Sequence, residues 1–224
     1  MIEADRESAD FGHIWLGMPY SDTDNQLISD DMLNEAIRRT PLDGPVTFGV
    51  DVARYGNDRT ALTIKKGNHV ETLESWTHSS IVDTGERIRL RASQYQPIDI
   101  RIDDTGVGGG LTDLLKSWQL PVTGINYAGK PKDPQYPNIA SELWFDFAAM
   151  LPKLSINPQL TDLAKLTTEL TTRKWQITSR NQRQIESKQD YKDAMNLGSP
   201  DLADSVLLAC YEPPQLPSWD VMVC

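Results

Sequence analysis

The sequence predicts an α/β domain built on a mixed sheet. Three observations lead there. Strand-like and helical runs follow one another as strand, strand, strand, helix, strand, helix, strand. A Gly67-Asn68 dipeptide sits between the second and third strands, where it closes a hairpin. Two apolar strands, 46–52 and 98–103, each carry an acid at or near the end.

The elements follow in order. Residues 8–16 suit a short helix. Ser29 precedes Met32, Leu33, Ala36 and Ile37 at helical spacing and suits an N-cap. Pro41 and the cluster Asp43-Gly44-Pro45 end that helix and mark a boundary. Residues 1–45 are therefore expected to be a linker or appendage, 46–212 the main domain and 213–224 a tail. Within the domain, 46–52, 60–66 and 70–77 are the first three strands, antiparallel to one another. Residues 83–95 carry Ile88, Leu90, Ala92 and Tyr95, an imperfect helical pattern. Residues 98–103 alternate as a strand, and 106–110 read as a glycine-rich loop before a helix over 111–118. Residues 121–126 form a short strand and 128–137, with three prolines, a loop. Helices are expected over 138–151 and 159–170, a small hairpin over 174–178 and 183–187, and a short helix over 190–197. The last helix opens at Ser199-Pro200-Asp201, with Ser199 as its cap and Pro200 at its first position.

Composition bounds the function. The chain has 224 residues, 39% hydrophobic and 24% charged, an ordinary globular balance. No apolar run reaches the length of a membrane span, and the acidic start lacks a secretory h-region. Cys210 and Cys224 cannot complete a cysteine zinc site alone. His13, His69 and His78 show no paired metal spacing, and no serine or cysteine sits in a nucleophile elbow. A net charge of −10 argues against nucleic-acid binding by bulk electrostatics. Its distribution softens that argument: residues 1–60 hold 5 basic and 12 acidic side chains, residues 130–192 hold 10 and 7.

The acids carry the chemistry. Asp51 ends a strand among Phe48, Val50 and Val52, where a bare carboxylate costs several kcal/mol unless paired or bound to metal. Asp103 ends its strand in the same way. Asp201 and Asp204 share a face at the start of the last helix, Asp204 against Leu202, Ala203, Val206 and Leu207. Singly, each has an ordinary explanation: a turn, or a helix dipole for Asp201. Asp58 likewise suits a turn beside Gly56-Asn57, and the loop 106–110 matches no phosphate-binding fingerprint. Together, two strand-end acids and one from a packed helix suit two hard cations about 3.5–4 Å apart, with magnesium or manganese as the matching ions.

The sequence resembles the C-terminal nuclease domain of the tailed-bacteriophage terminase large subunit, which is ribonuclease H-like. Three motifs carry the likeness. They are Phe48-Gly49-Val50-Asp51-Val52-Ala53-Arg54-Tyr55-Gly56-Asn57-Asp58-Arg59-Thr60, then Ile102-Asp103-Asp104-Thr105-Gly106-Val107-Gly108-Gly109-Gly110-Leu111, then Ile185-Glu186-Ser187-Lys188 with Ser199-Pro200-Asp201-Leu202-Ala203-Asp204-Ser205. The helix over 138–151, with Glu142 and Trp144, adds to it. The likeness covers about residues 46–211 in order and spacing. It implies a ribonuclease H-like mixed sheet with helices on both faces. It implies a metal-dependent endonuclease that cleaves concatemeric viral double-stranded DNA during genome packaging. Asp51, Asp103 and Asp204 would hold the catalytic Mg2+ or Mn2+, two ions in all. Asp58 and Asp201 fall on auxiliary acid positions, and Lys188 on a candidate DNA-phosphate contact. The implied partners are DNA, the terminase small subunit, the portal and a packaging ATPase domain, in the host cytoplasm. No Walker A motif is present, so the chain is expected not to hydrolyse ATP. The competing readings are another ribonuclease H-like enzyme, such as a junction resolvase, and a catalytically silent docking module.

Overall fold

The structure is a computed structural model that describes residues 25–53, 59–195 and 198–212. Asp58, the helix expected over 8–16, His13, Cys224 and the tail 213–224 lie outside the described residues.

Helix α1 (Asp30–Arg38) is capped as expected, Ser29 Oγ accepting from Met32 N at 3.3 Å. Strands β1 (Val46–Asp51), β2 (Thr60–Lys66) and β3 (His69–Trp76) form the antiparallel part of the sheet, with the turn at Gly67-Asn68. Helix α2 (Ile81–Tyr95) leads to β4 (Asp99–Asp103), α3 (Gly108–Ser117) and β5 (Val122–Ile125), and β4 and β5 run parallel to β1. Then come α4 (Ile139–Met150), a 3-10 turn (Leu151–Lys153), β6 (Ser155–Ile156), α5 (Leu163–Thr171), the hairpin β7 (Trp175–Ile177) and β8 (Arg183–Ile185), α6 (Lys188–Met195) and α7 (Asp201–Cys210). The central sheet has the order β5-β4-β1-β2-β3-β6.

Helices cover both faces, and period-2 alternation divides the strands between them. Phe48, Val50, Leu62, Ile64, Ile100 and Ile102 pack with Ile88 and Ala92 of α2 and Leu111 and Leu115 of α3. On the other face Ala61, Val70, Leu73 and Ile125 pack with α1, α4, α5 and α7. Ile28, Leu33 and Ala36 belong to this second core, so residues 25–45 rest on the sheet domain. No helix among the described residues is long and apolar enough to cross a membrane.

The structure differs from the expected elements at several places, among them the helix expected from residue 159, which starts at Leu163. The glycine run is not a loop throughout: α3 starts at Gly108. A Cβ there would stand 1.7 Å from the Asp103 carbonyl oxygen, so glycine lets the helix start directly on the end of β4. Helix α6 starts at Lys188, two residues early. Strand β6 has only two residues, too few to show a period, and pairs with β3. Pro200, not Ser199, is the cap of α7, and it offers no side-chain acceptor.

Candidate active site

One close crossing assembles the site. Thr47, Gly49 and Asp51 alternate onto the face covered by α7. Thr47 Oγ1 donates to the Ala209 carbonyl at 2.8 Å, Thr63 and Ser205 hydroxyls meet at 2.7 Å, and Arg101 Nη1 donates to the same Ala209 carbonyl at 3.1 Å. These polar contacts fasten α7 across β1, β2 and β4. The β1–β4 register pairs Val50 with Ile102. One residue further along that register, Asp51 stands beside Asp103, at the carboxyl ends of two parallel strands. Helix α7, buried along its whole length, brings Asp201 and Asp204 to the same end.

Asp51, Asp103, Thr105, Tyr127, Lys188 and Asp201 line an open cavity of about 660 Å³. Asp204 lies behind it, 1% exposed. Lys188 Nζ bridges the acids, 2.8 Å from Asp204 Oδ2 and 3.5 Å from Asp51 Oδ2. Asp103 Oδ1 accepts from Thr105 N at 3.0 Å, and Asp201 Oδ2 accepts from Arg59 N at 2.8 Å. Asp201 therefore anchors the chain entering β2 as well as lining the cavity.

The electrostatics are those of crowded acids. Burial pushes the Asp51 carboxyl well above its ordinary range; Lys188 opposes that, while Asp204, Asp201 and Asp103 add to it. Asp103 and Asp201 are also raised, chiefly by burial. Burial would lower the Lys188 ammonium, but Asp204 and Asp51 outweigh it and hold the pKa above the ordinary lysine value. The Tyr127 phenol, raised by burial and by the same acids, stays protonated; its hydroxyl donates to the Asp204 carbonyl at 3.4 Å.

All-oxygen donors of this kind suit a hard divalent cation. As the side chains stand, among the described residues no three His, Cys, Asp or Glu converge on a point that would hold one. The reason is local: Lys188 spans Asp51 and Asp204, and Asp103 is turned onto the Thr105 amide. Asp204 Oδ2 accepts no regular hydrogen bond and has the ammonium as its contact. The donor set fits a cation that takes the place of the Lys188 ammonium on those oxygens.

Of the residues singled out in the sequence, the structure brings together Asp51, Asp103, Asp201, Asp204 and Lys188. Three further residues were not singled out. Tyr127 closes one wall. Arg173, 3% exposed, lies between the rings of Trp144 and Tyr191 at 5.2 and 5.1 Å and donates to the Glu186 carbonyl, two residues before Lys188. Glu169, 3% exposed, reaches across from α5 and accepts from Ala203 N at 2.9 Å. It thereby supplies the cap that Pro200 cannot. A signal for Glu169 existed: it shares the buried stripe of Leu166 and Leu170.

Burial pushes the Glu169 carboxyl from an ordinary 4.5 to about 7. A raised folded-state pKa means that the native chain holds the proton more tightly than the unfolded one. The stabilisation is complete below about pH 4.5 and is lost as pH rises through about 7. Glu169→Gln keeps an acceptor for Ala203 N and cannot ionise. Urea unfolding should therefore show the wild type losing of order 3 kcal/mol relative to this variant across that window. Parallel pH curves would contradict the assignment.

No protein-family model matches the chain, and no curated protein matches it in sequence. Solved structures do match in fold. The nuclease domain of the large terminase subunit gp2 of bacterial virus Sf6 superposes with a TM-score of 0.75 at 18% identity, covering 84% of this chain and 99% of that one. A variant of that domain, solved with manganese and β-thujaplicinol, gives 0.76 at 18% identity and the same coverage. The large terminase nuclease from thermophilic phage G20c, with bound magnesium, gives 0.60 at 16% identity, covering 83% and 96%. The fold is thus the ribonuclease H-like one of phage large terminase nuclease domains, as the sequence motifs implied.

Proposed function

We propose that this chain is a metal-dependent endonuclease that cuts concatemeric viral double-stranded DNA during genome packaging. One observation carries the reading: four buried acids, Asp51, Asp103, Asp201 and Asp204, gather at the carboxyl end of β1 and β4, with the Lys188 ammonium against two of them, Asp51 and Asp204. Such a cluster is short of positive charge, and divalent cations relieve that shortage. The fold shared with terminase nucleases, some of them solved with manganese or magnesium, supports the same reading.

In this proposal Asp51, Asp103 and Asp204 hold two Mg2+ or Mn2+ ions, with Asp201 and Asp58 as auxiliary acids. Bound there, the ions would polarise the phosphoryl oxygen, lower the pKa of an attacking water and stabilise the leaving 3′ oxygen. The protein's own groups do the rest. Thr105 N fixes the Asp103 carboxylate, and Arg59 N fixes Asp201. Tyr127 keeps its proton and holds the α7 main chain at Asp204. Lys188, its side chain 37% exposed, reaches the cavity and supplies a cation for a phosphate oxygen. The packaging ATPase, the small terminase subunit and the portal are the partners this role requires.

The direct test is supercoiled plasmid incubated with manganese, with magnesium, or with EDTA. Nicking or linearisation is expected with either metal and not with chelator. Cutting that persists in chelator, or no cutting with metal, would overturn the proposal. An RNA–DNA hybrid run alongside separates this activity from that of a ribonuclease H.

A further inference from the structure

Exposed cations recur along one rim beside the acidic cavity. Residues 173–185, spanning β7, β8 and their turn, contain Arg173, Lys174, Arg180 and Arg183 and no acid. Arg173 is buried, and Arg180 stands exposed at the tip. The hairpin is bound to the loop 128–137. Arg183 N donates to the Gln135 carbonyl at 2.8 Å, and Gln182 Nε2 donates to the Pro134 and Tyr136 carbonyls at 3.0 and 3.1 Å. That loop presents Lys130 and Lys132 to solvent. Its one acid, Asp133, is turned back onto the loop, where it accepts from Gln135 N at 2.9 Å. Lys130, Lys132, Pro134, Tyr136 and Gln182 wall a groove of about 390 Å³.

Groove and cavity share one loop. Tyr127 and Ala128 line the cavity, and Lys130 is two residues further along, within about 7 Å of chain. Lys132 Nζ is held in place, 4.2 Å from the Tyr211 ring and donating to the Glu212 carbonyl. Asp146, half-buried beside Lys132, and Glu212 offset part of this charge; Lys130 and Arg180, exposed away from them, are where a polyanion can approach in a chain of net charge −10.

We propose that this rim is a second DNA contact: a track in which Lys130, Lys132 and Arg180 hold the phosphate backbone of the duplex outside the cleaved step. The inference rests on the nuclease reading for the choice of DNA over an acidic protein. A duplex presents one charge per about 1.7 Å of axis, which suits cations spread along a rim rather than gathered at a point. The groove's aromatic ring, Tyr136, is only 8% exposed, so no stacking platform for bases is offered. The contact is to phosphate and carries no sequence preference.

The test is salt-dependent binding of a fluorescein-labelled duplex of mixed sequence, followed by anisotropy in constant calcium. Lys130→Gln combined with Arg180→Gln should lower the slope of log K against log salt by about 2, one contact for each residue removed. Lys116→Gln, on the exposed side of α3, should leave the slope unchanged. An unaltered slope in the double variant, or no duplex binding by the wild type, overturns the track. A lowered slope in a protein that never cuts plasmid leaves the track standing and removes the nuclease reading instead.

Discussion

Asp204→Asn should reduce metal-dependent plasmid cleavage by at least about a hundredfold while the chain stays folded. Losing a residue that merely supports a metal ligand typically costs 10–100-fold, so losing a ligand should cost more. The substitution preserves shape where shape matters, since Asp204 is 1% exposed inside the fully buried α7. It removes the charge that meets Lys188 at 2.8 Å and leaves that ammonium with Asp51 at 3.5 Å. One fewer carboxylate relieves repulsion, one weakened ion pair offsets it, and thermal unfolding should shift by only a few degrees. Near-wild-type cutting by a folded Asp204→Asn protein would remove this residue from the site.

Gly49→Ala should have the largest effect on stability. A Cβ at residue 49 would stand 2.0 Å from the Ser205 carbonyl oxygen and 2.3 Å from Ala209 N. Both are helix backbone, so no side-chain rotation relieves the clash. Helix α7 must lift from β1, breaking the Thr47, Thr63 and Arg101 contacts that seat it. The expected loss is about 3 kcal/mol or more, at the upper end of overpacking effects. For a domain of this size that lowers Tm by roughly 6–12 °C. Because α7 carries Asp204, cleavage should fall as well. Gly109→Ala is the control: its Cβ would meet only Asp104, at 3.6 Å, and alanine suits a helix better than glycine does. An unchanged Tm in Gly49→Ala would contradict the close crossing on which the site's geometry depends.

Much of the fold was legible in the sequence because its signals are local. Alternation in 98–103, the apolar run 46–52 and the Gly67-Asn68 turn each announce a strand or hairpin by themselves. Where the expected elements missed, the deciding contact was tertiary. Three consecutive glycines read as a loop, yet Gly108 opens a helix because only glycine fits against the Asp103 carbonyl. Ser199-Pro200 read as a cap and first turn, yet the start of α7 is capped from another helix by Glu169. The acids were legible as candidates through their strand-end positions. The position of Lys188 was not, since a lysine after a short hairpin has an ordinary solvated reading. Only the fold brings it against Asp51 and Asp204. Arg173 was invisible for the same reason: its neighbours Trp144 and Tyr191 come from distant segments.

The measurement that tests the central claim most directly is manganese anomalous scattering from crystals of the wild-type chain grown with the metal and a short DNA duplex. Two manganese peaks ligated by Asp51, Asp103 and Asp204, with the Lys188 ammonium displaced from between Asp51 and Asp204, are the result expected. Manganese bound elsewhere, or Lys188 still bridging those two acids while DNA occupies the cavity, would contradict it.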